Sequence, residues 1–400
     1  MPSSSSIPIE RIAAVEQPPP PAERYTLDGS DDVEARIDQD QRQVAEAVRA
    51  LCNADHLGAL VLVGGYGQGA GGFVRSADGP HPYEGYEYRL VVRRSNAAWR
   101  AEAGERLAAL SRELSVRLGV AVRFVLWREE RLPALPATLE NAEIRWGHRI
   151  IDGDPRGMRA MPPMPFYEIA PGEMTRRLID CGLGLLENQQ RLLRAQPFDV
   201  AVNQRFFDNL FRAVLVAGDA KLAAARQYHP SYPERLNRLR ALDVRHHSKF
   251  MGLYELAYRQ RFRPDYTAFA GEHPDDWHTR GVWVWLDNLR ALEERRLGRP
   301  VGDWHAYCRA RIPKGQSIGL GGPLRAVIMT ARRLGAAEVL RQPLRAIRHP
   351  RERMIAALPL LLAERGSRID RCIAQALARP GDASWQEASI ALLKNCDVLC

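Results

Sequence analysis

The chain has 400 residues, of which 46% are hydrophobic and 26% charged, a balance typical of a water-soluble globular protein with room for more than one domain. No apolar run reaches the roughly 18 residues that a membrane-spanning helix needs, which excludes an integral membrane protein. The formal net charge is +9, with 5 basic and 11 acidic residues over 1–56 but 37 and 25 over 161–400. This charge permits anionic partners, including nucleic acid, without requiring one.

The cysteines and the N-terminus bear on the cellular location. Six cysteines lie far apart in the sequence, and the first residues lack the basic start and apolar core of a secretory signal. We therefore expect reduced thiols and a cytoplasmic location. Arginine supplies 53 of the 57 basic residues, a bias typical of a GC-rich bacterial genome.

Three elements are predicted before the first glycine run. Residues 1–30 are rich in serine and proline and poor in large apolar side chains, which predicts a disordered N-terminal arm. Asp31–Cys52 is predicted to be a helix because its valine, isoleucine and leucine residues recur at helical spacing. The apolar run Leu57–Val63 ends abruptly in glycine and predicts a buried strand.

The segment that follows, Gly64–Gly72, has six glycines in nine positions. Beyond it, the apolar patterns predict three strands and one capped helix: strands over Tyr86–Val92, Val120–Trp127 and Arg149–Asp152, and a helix over Asn96–Leu118 that ends at Gly119. After the prolines at 162–165 almost every segment has helical spacing. The predicted fold is therefore α+β, with a mixed β-sheet and helices over 31–160 and an all-α helical domain over 161–400.

The glycine run is the strongest candidate for a binding loop. Glycines at a strand end expose backbone N–H groups and leave room for a phosphate. The candidate nucleotide- or phosphate-binding residues are Gly64, Gly65, Tyr66, Gly67, Gln68 and Gly69. The glycines also satisfy the G-x-G-x-x-G dinucleotide pattern, which requires a helix directly after them. Residues 73–85 contain two prolines and two glycines, which disfavours such a helix and a dinucleotide-binding fold.

Three motifs follow one another in the order of a known family. Gly64-Gly65 ends an apolar strand, Gly67–Gly72 has the form G-Q-G-A-G-G, and Glu84–Glu87 opens the next strand. They resemble the glycine pair, the G-R-G-E-G-G stretch and the N-D-Y-D strand of the nucleotidyltransferase superfamily, in the branch with an aminoglycoside-nucleotidyltransferase-like core and a helical C-terminal domain. Residues 139–155 resemble the edge strand of that core, and residues 213–236 resemble a helix pair of its helical domain.

The resemblance implies nucleotidyl transfer from a nucleoside triphosphate by two Mg²⁺ ions that carboxylates hold. Two carboxylates form a D-x-D pair on one strand, where alternate side chains share a face, and a third lies on the neighbouring strand. In this chain the pair is Gly85 and Glu87, and the third position holds Ala121 or Arg123. Glu87 is then the one catalytic and metal-binding candidate, unless a bulge brings Glu84 beside it. If Arg123 faces the site, it would bind phosphate without Mg²⁺; the alternative is that it lies in solvent at the end of the strand.

Three functions remain open from the sequence. The first is a catalytically degenerate nucleotidyltransferase, a pseudoenzyme that keeps a glycine-lined pocket for a nucleotide or another small anion. The second is an active enzyme that moves a nucleoside monophosphate group to a small hydroxylated acceptor, with Mg²⁺ and a nucleoside triphosphate. The third is a helical interaction module that binds nucleic acid, a partner protein or a second copy of the chain through a basic face, such as residues 325–371 with eleven arginines and four acids.

Overall fold

The computed structural model describes residues 23–52, 55–76, 79–194, 200–242, 247–269, 271–309, 323–334, 336–341, 352, 356–364, 369, 371–377 and 383–396. The chain forms two compact units. The first runs to Ile169, past the predicted boundary at 160, and includes short segments at Pro230–Tyr232 and Phe262–Pro264. The second takes up the rest of the chain from Ala170 onward.

The first unit alternates helices and strands. Its elements are α1 (Asp31–Leu51), β1 (Leu57–Val63), α2 (Gly64–Gly67), β2 (Phe73–Ser76), β3 (Gly79–Pro82), β4 (Tyr86–Val92), α3 (Ala97–Leu118), β5 (Val122–Arg128), α4 (Leu139–Trp146), β6 (Arg149–Gly153) and α5 (Arg156–Arg159). Two 3₁₀ helices, Glu129–Ala134 and Phe166–Glu168, lie between these elements.

A mixed four-stranded sheet in the order β5-β4-β1-β6 forms the centre of this unit. Strand β1 is antiparallel to both β4 and β6, whereas β4 and β5 are parallel and are connected by α3. The helix ends are set locally: the side chain of Asn96 accepts the N–H of Trp99 at 2.8 Å, and Gly119 ends α3 with φ of 71°. The α+β class is confirmed by this arrangement of sheet and helices.

Strand alternation gives the sheet two different faces. On one face, Tyr86 and Tyr88 of β4 are fully buried against α1, where their hydroxyls donate to Asp40 at 2.8 Å and Gln41 at 2.7 Å. The opposite face carries a second apolar cluster that includes Val61 of β1 and residues of α4. Glu87, which lies between the two tyrosines in sequence, is therefore on the face opposite α1.

The buried carboxyl of Asp40 is expected to lower stability as pH rises. Burial raises the pKa of Asp40, although hydrogen bonds and charge from Tyr86 and Arg36 oppose the shift. Because the folded protein then holds the proton more tightly than the unfolded chain, ionisation above the unfolded pKa of about 3.9 lowers the free energy of unfolding. In urea unfolding from about pH 4 to about pH 7, Asp40→Asn should gain stability relative to the wild type.

A control of opposite sign is available on β6. The Arg49 guanidinium holds the pKa of Asp152 below its ordinary value. Its ionised form therefore stabilises the fold above the unfolded pKa, and this contribution is lost as pH falls. Asp152→Asn should lose stability relative to the wild type as pH rises over the same range. Equal pH slopes for the two variants would contradict both expectations.

Two sequence predictions are corrected in the first unit, and one element that the sequence did not predict is present. The arm predicted over 1–30 is ordered at its end, where Tyr25 and Thr26 are buried; residues 1–22 lie outside the described residues. The edge strand predicted from residues 139–155 occupies only Arg149–Gly153, after helix α4. The stretch after the glycine run forms a hairpin, in which β2 pairs with β3.

The second unit is helical. Its helices are α6 (Pro171–Leu193), α7 (Val200–Ala224), α8 (Tyr232–Ala241), α9 (His247–Phe262), α10 (Pro274–Leu297), α11 (Trp304–Arg309), α12 (Pro323–Leu334), α13 (Ala336–Arg341), α14 (Leu358–Ala363), α15 (Arg371–Leu377) and α16 (Trp385–Cys396), with a 3₁₀ turn at Thr267–Phe269. The helix pair predicted over 213–236 corresponds to the end of α7 and the start of α8. Among the described residues, no helix is both long and apolar enough to cross a membrane.

Helices α6, α7 and α10 form the core of the second unit. Leu185, Leu210 and Trp285, one from each helix, are fully buried, and the indole N–H of Trp285 donates to the carbonyl of Leu178 at 2.7 Å. This core also contains charge: Arg296 at the end of α10 is buried between the carboxylates of two glutamates. It follows that part of the fold's stability depends on an ion cluster that water does not reach.

Candidate functional site

Three neighbouring strands bring the predicted site residues into one row. In the pairing of β1 with β4, Val63 lies opposite Glu87, and in the pairing of β4 with β5, Glu87 lies opposite Arg123. The first glycine of the run, Gly64, follows Val63 directly. The remaining carboxylate, the arginine in the third carboxylate position and the start of the glycine run are therefore neighbours at one end of the sheet.

Glu87 and Arg123 form an ion pair. Nη2 of Arg123 donates to Oε1 of Glu87 at 2.5 Å, and the two side chains are 70% and 37% exposed, respectively. A pair this exposed contributes no more than about 1 kcal/mol to stability. The pair also affects binding, because a cation that approached Glu87 would meet a guanidinium already bonded to it.

The first position of the D-x-D pattern, Gly85, has little room for any side chain. A Cβ atom built on Gly85 would lie 2.9 Å from the carbonyl oxygen of Ala121 and 3.1 Å from the Ala121 Cβ. Hard cations such as Mg²⁺ take carboxylate and other oxygen ligands, and two-ion centres need several of them. One carboxylate paired with an arginine and one closed position do not fit such a centre.

Glu84, the other metal-ligand candidate, lies in the bend before β4 rather than on the strand. Its backbone N–H donates to the hydroxyl of Tyr66 at 3.2 Å. The same hydroxyl donates to the carbonyl of Gly72 at 2.7 Å, so Tyr66 connects both ends of the loop that contains the hairpin. The Tyr66 side chain is 1% exposed and packs edge-on against Tyr86, with ring centroids 5.0 Å apart. The ring of this predicted binding residue thus belongs to the core.

The glycines of the run have distinct structural roles. Gly64 and Gly69 adopt φ of +68° and +72°, which favours glycine over residues with a side chain. Gly67 is buried, and a Cβ there would lie 2.4 Å from the carbonyl oxygen of Leu62. A Cβ on Gly71 would lie 2.1 Å from the Tyr66 ring. Backbone conformation and packing therefore account for these four glycines before any ligand is considered.

The remaining candidates, Gly65 and Gln68, lie between these positions and are partly exposed. Nε2 of Gln68 donates to the carbonyl of Glu143 in α4 at 3.4 Å. A Cβ on Gly147 would lie 2.9 Å from the Gln68 side chain, so the end of α4 packs closely on it. Gln68 thus connects the glycine run to α4.

Sequence reasoning missed Arg89, which lies two residues beyond Glu87 on the same face of β4. Its side chain is 5% exposed, forms an ion pair with Glu140 and lies 5.5 Å over the ring of Trp127. Its Nε has no hydrogen-bond partner among the residues that the structure describes. The sequence signal that could have identified Arg89 is the presence of an arginine inside the apolar strand Tyr86–Val92. The face therefore carries two arginines, each paired with a glutamate.

The chain matches no protein-family model, and no curated protein is similar to it at a significant level.

Proposed function

We propose that this protein is nucleotidyltransferase-like and catalytically degenerate, and that it keeps the glycine run as a nucleotide- or anion-binding loop. The observation that carries the proposal is the ion pair between Glu87 and Arg123. In the family that the sequence resembles, both positions would hold carboxylates that bind metal. An arginine that neutralises the one remaining carboxylate is the charge pattern expected after metal chemistry has been lost.

The order of the strands also supports the proposal. The glycine run joins β1 to β4 through a hairpin, and the parallel strand β5 follows α3 on the other side of β4. Glu87 and Arg123 therefore occupy neighbouring strands, as the resemblance implies for the second and third carboxylates. Because the Arg123 side chain is 70% exposed, it can exchange Glu87 for a phosphate, a good bidentate partner for guanidinium.

Isothermal titration with ATP, CTP, GTP and UTP, each with and without Mg²⁺ or Mn²⁺, tests this function. We expect nucleotide binding that does not depend on the metal and that weakens in Arg123→Ala. Metal-dependent binding that is lost in Glu87→Ala would contradict the proposal and favour an active enzyme. Absence of nucleotide binding under every condition would contradict it as well and favour the helical interaction module.

A second variant tests whether Arg123 prevents metal binding. Arg123→Asp places a carboxylate on the strand beside Glu87 and removes the competing cation, so it is expected to gain Mn²⁺ binding that the wild type lacks. Titration followed by electron paramagnetic resonance of free Mn²⁺ measures the gain. The matched control is Arg112→Asp, which makes the same charge change at an exposed position of α3. Equal Mn²⁺ binding by both variants would show that net charge alone is responsible.

A further inference from the structure

The first unit contains a cavity of about 340 Å³ on the α1 face of the sheet, lined by residues of α1, β6 and Tyr25. Gln41, which lines it, bonds to Tyr88, and Tyr88 and Glu87 point to opposite faces of β4. The cavity is therefore separate from the pair of Glu87 and Arg123. Its volume lies in the range of about 300–1,000 Å³ that is typical of small-molecule sites.

Gln41 brings a buried donor to this cavity. Its side-chain oxygen accepts the hydroxyl of Tyr88 at 2.7 Å, and the residue is 2% exposed. Its Nε2 is buried and has no hydrogen-bond partner within the described part of the chain. A buried donor without an acceptor is unfavourable, so an acceptor oxygen from a bound molecule would stabilise the site.

Two guanidinium groups at the cavity are held in place by other contacts. Arg149 lies 3.8 Å from the centroid of the Tyr25 ring and donates to the carbonyl of Arg24 at 2.9 Å. Arg49 donates from Nε to Asp152 at 2.7 Å. Guanidinium groups that are already oriented lose less conformational entropy when they bind an anion.

Most of the charges around the cavity are already paired. Three arginines line the cavity against two carboxylates, Asp38 and Glu46. Asp38 is already engaged, since Arg42 forms an ion pair with it and the hydroxyl of Tyr25 donates to it at 3.3 Å. Arg49 is likewise paired with Asp152, so among the lining charges Glu46 is set against Arg149 alone.

We infer that this cavity binds a small oxyanion, a molecule with a phosphate or carboxylate group. The oxyanion accepts from Nε2 of Gln41 and from the guanidinium groups of Arg49 and Arg149. Ala45 and Ile151 provide apolar lining for a small organic part of the ligand. The site is distinct from the glycine run and does not depend on nucleotide binding there.

Thermal unfolding in the presence of inorganic phosphate, and separately of citrate, tests the inference on the full chain. We expect a saturable rise in melting temperature with at least one of these anions beyond that in sodium chloride of equal ionic strength. Arg149→Gln and Gln41→Leu should each raise the half-saturating anion concentration about tenfold. The first removes a charge-assisted hydrogen bond to the anion, and the second removes a buried one. Arg112→Gln, an exposed arginine on α3, is the matched control and should bind as the wild type does.

Several outcomes would overturn the inference. One is the absence of saturable stabilisation by either anion, and another is an equal response of all variants. A third is loss of binding in Arg123→Ala but not in Arg149→Gln, which would assign the anion to the site of Arg123 beside the glycine run. Gln41→Leu also removes the acceptor of the Tyr88 hydroxyl, whereas Arg149→Gln leaves that hydrogen bond intact. The test therefore remains decisive if Gln41→Leu fails to fold.

Discussion

Replacement of Arg296 by methionine is expected to lower the free energy of unfolding of the second unit by about 3–5 kcal/mol. The Arg296 side chain is 1% exposed, and it donates to Glu293 at 2.8 Å and to Glu352 at 3.0 Å. Glu293 also accepts the hydroxyls of Thr175 at 2.6 Å and Tyr307 at 3.0 Å. Without the arginine, two carboxylates remain in the core without their cation, and their desolvation is no longer compensated.

Urea unfolding followed by circular dichroism measures the effect of Arg296→Met. Arg295→Met, one residue away on the exposed side of α10, is the control and should change stability by no more than about 0.5 kcal/mol. Changing Glu293 and Glu352 to glutamine in the same protein should recover part of the loss. A loss below about 1 kcal/mol in Arg296→Met would contradict the assignment of a buried cluster.

The elements with clear local signals were predicted well. Strands β1 and β4 match their predicted limits because each is an apolar run with glycine at one end. Both ends of helix α3 are predicted correctly, because Asn96 and Gly119 cap the helix through backbone groups and conformations that are local in the sequence. The hairpin of β2 and β3 was missed, since prolines and glycines indicate a break in helix but not which residues pair.

The candidate site was only partly accessible from the sequence. The resemblance identified Glu87 and Arg123, but it does not give the register that pairs the two across β4 and β5. That register depends on the packing of the whole sheet. The burial of Arg89 depends on Glu140 and Trp127, residues that are far from it in sequence. The glycine run was interpreted as a binding loop, whereas the contact of Gly71 with Tyr66 becomes visible only in the folded chain.

Alanine substitutions in the glycine run are expected to have very different effects on stability. Gly67→Ala should lower the free energy of unfolding by about 3 kcal/mol, because its Cβ would lie 2.4 Å from the backbone oxygen of Leu62, which no rotamer change can move. Gly64→Ala should cost about 1–2 kcal/mol, because its φ of +68° disfavours a side chain although none of the described residues obstructs it. Gly104→Ala is the control within α3. It meets no described neighbour and should gain about 0.5–1 kcal/mol.

This series separates packing from ligand binding, since urea unfolding and nucleotide titration are measured on the same variants. If Gly67 is glycine because of Leu62, Gly67→Ala loses stability with or without a nucleotide present. If the position is instead reserved for the approach of a phosphate, Gly67→Ala keeps wild-type stability and loses nucleotide binding alone, which would contradict the packing argument. Gly64→Ala is the more informative variant for the proposed binding loop, because Gly64 follows the row of Glu87 and Arg123 and its Cβ has open space. Weaker nucleotide binding in Gly64→Ala, beyond its modest loss of stability, is the result that the proposed function requires.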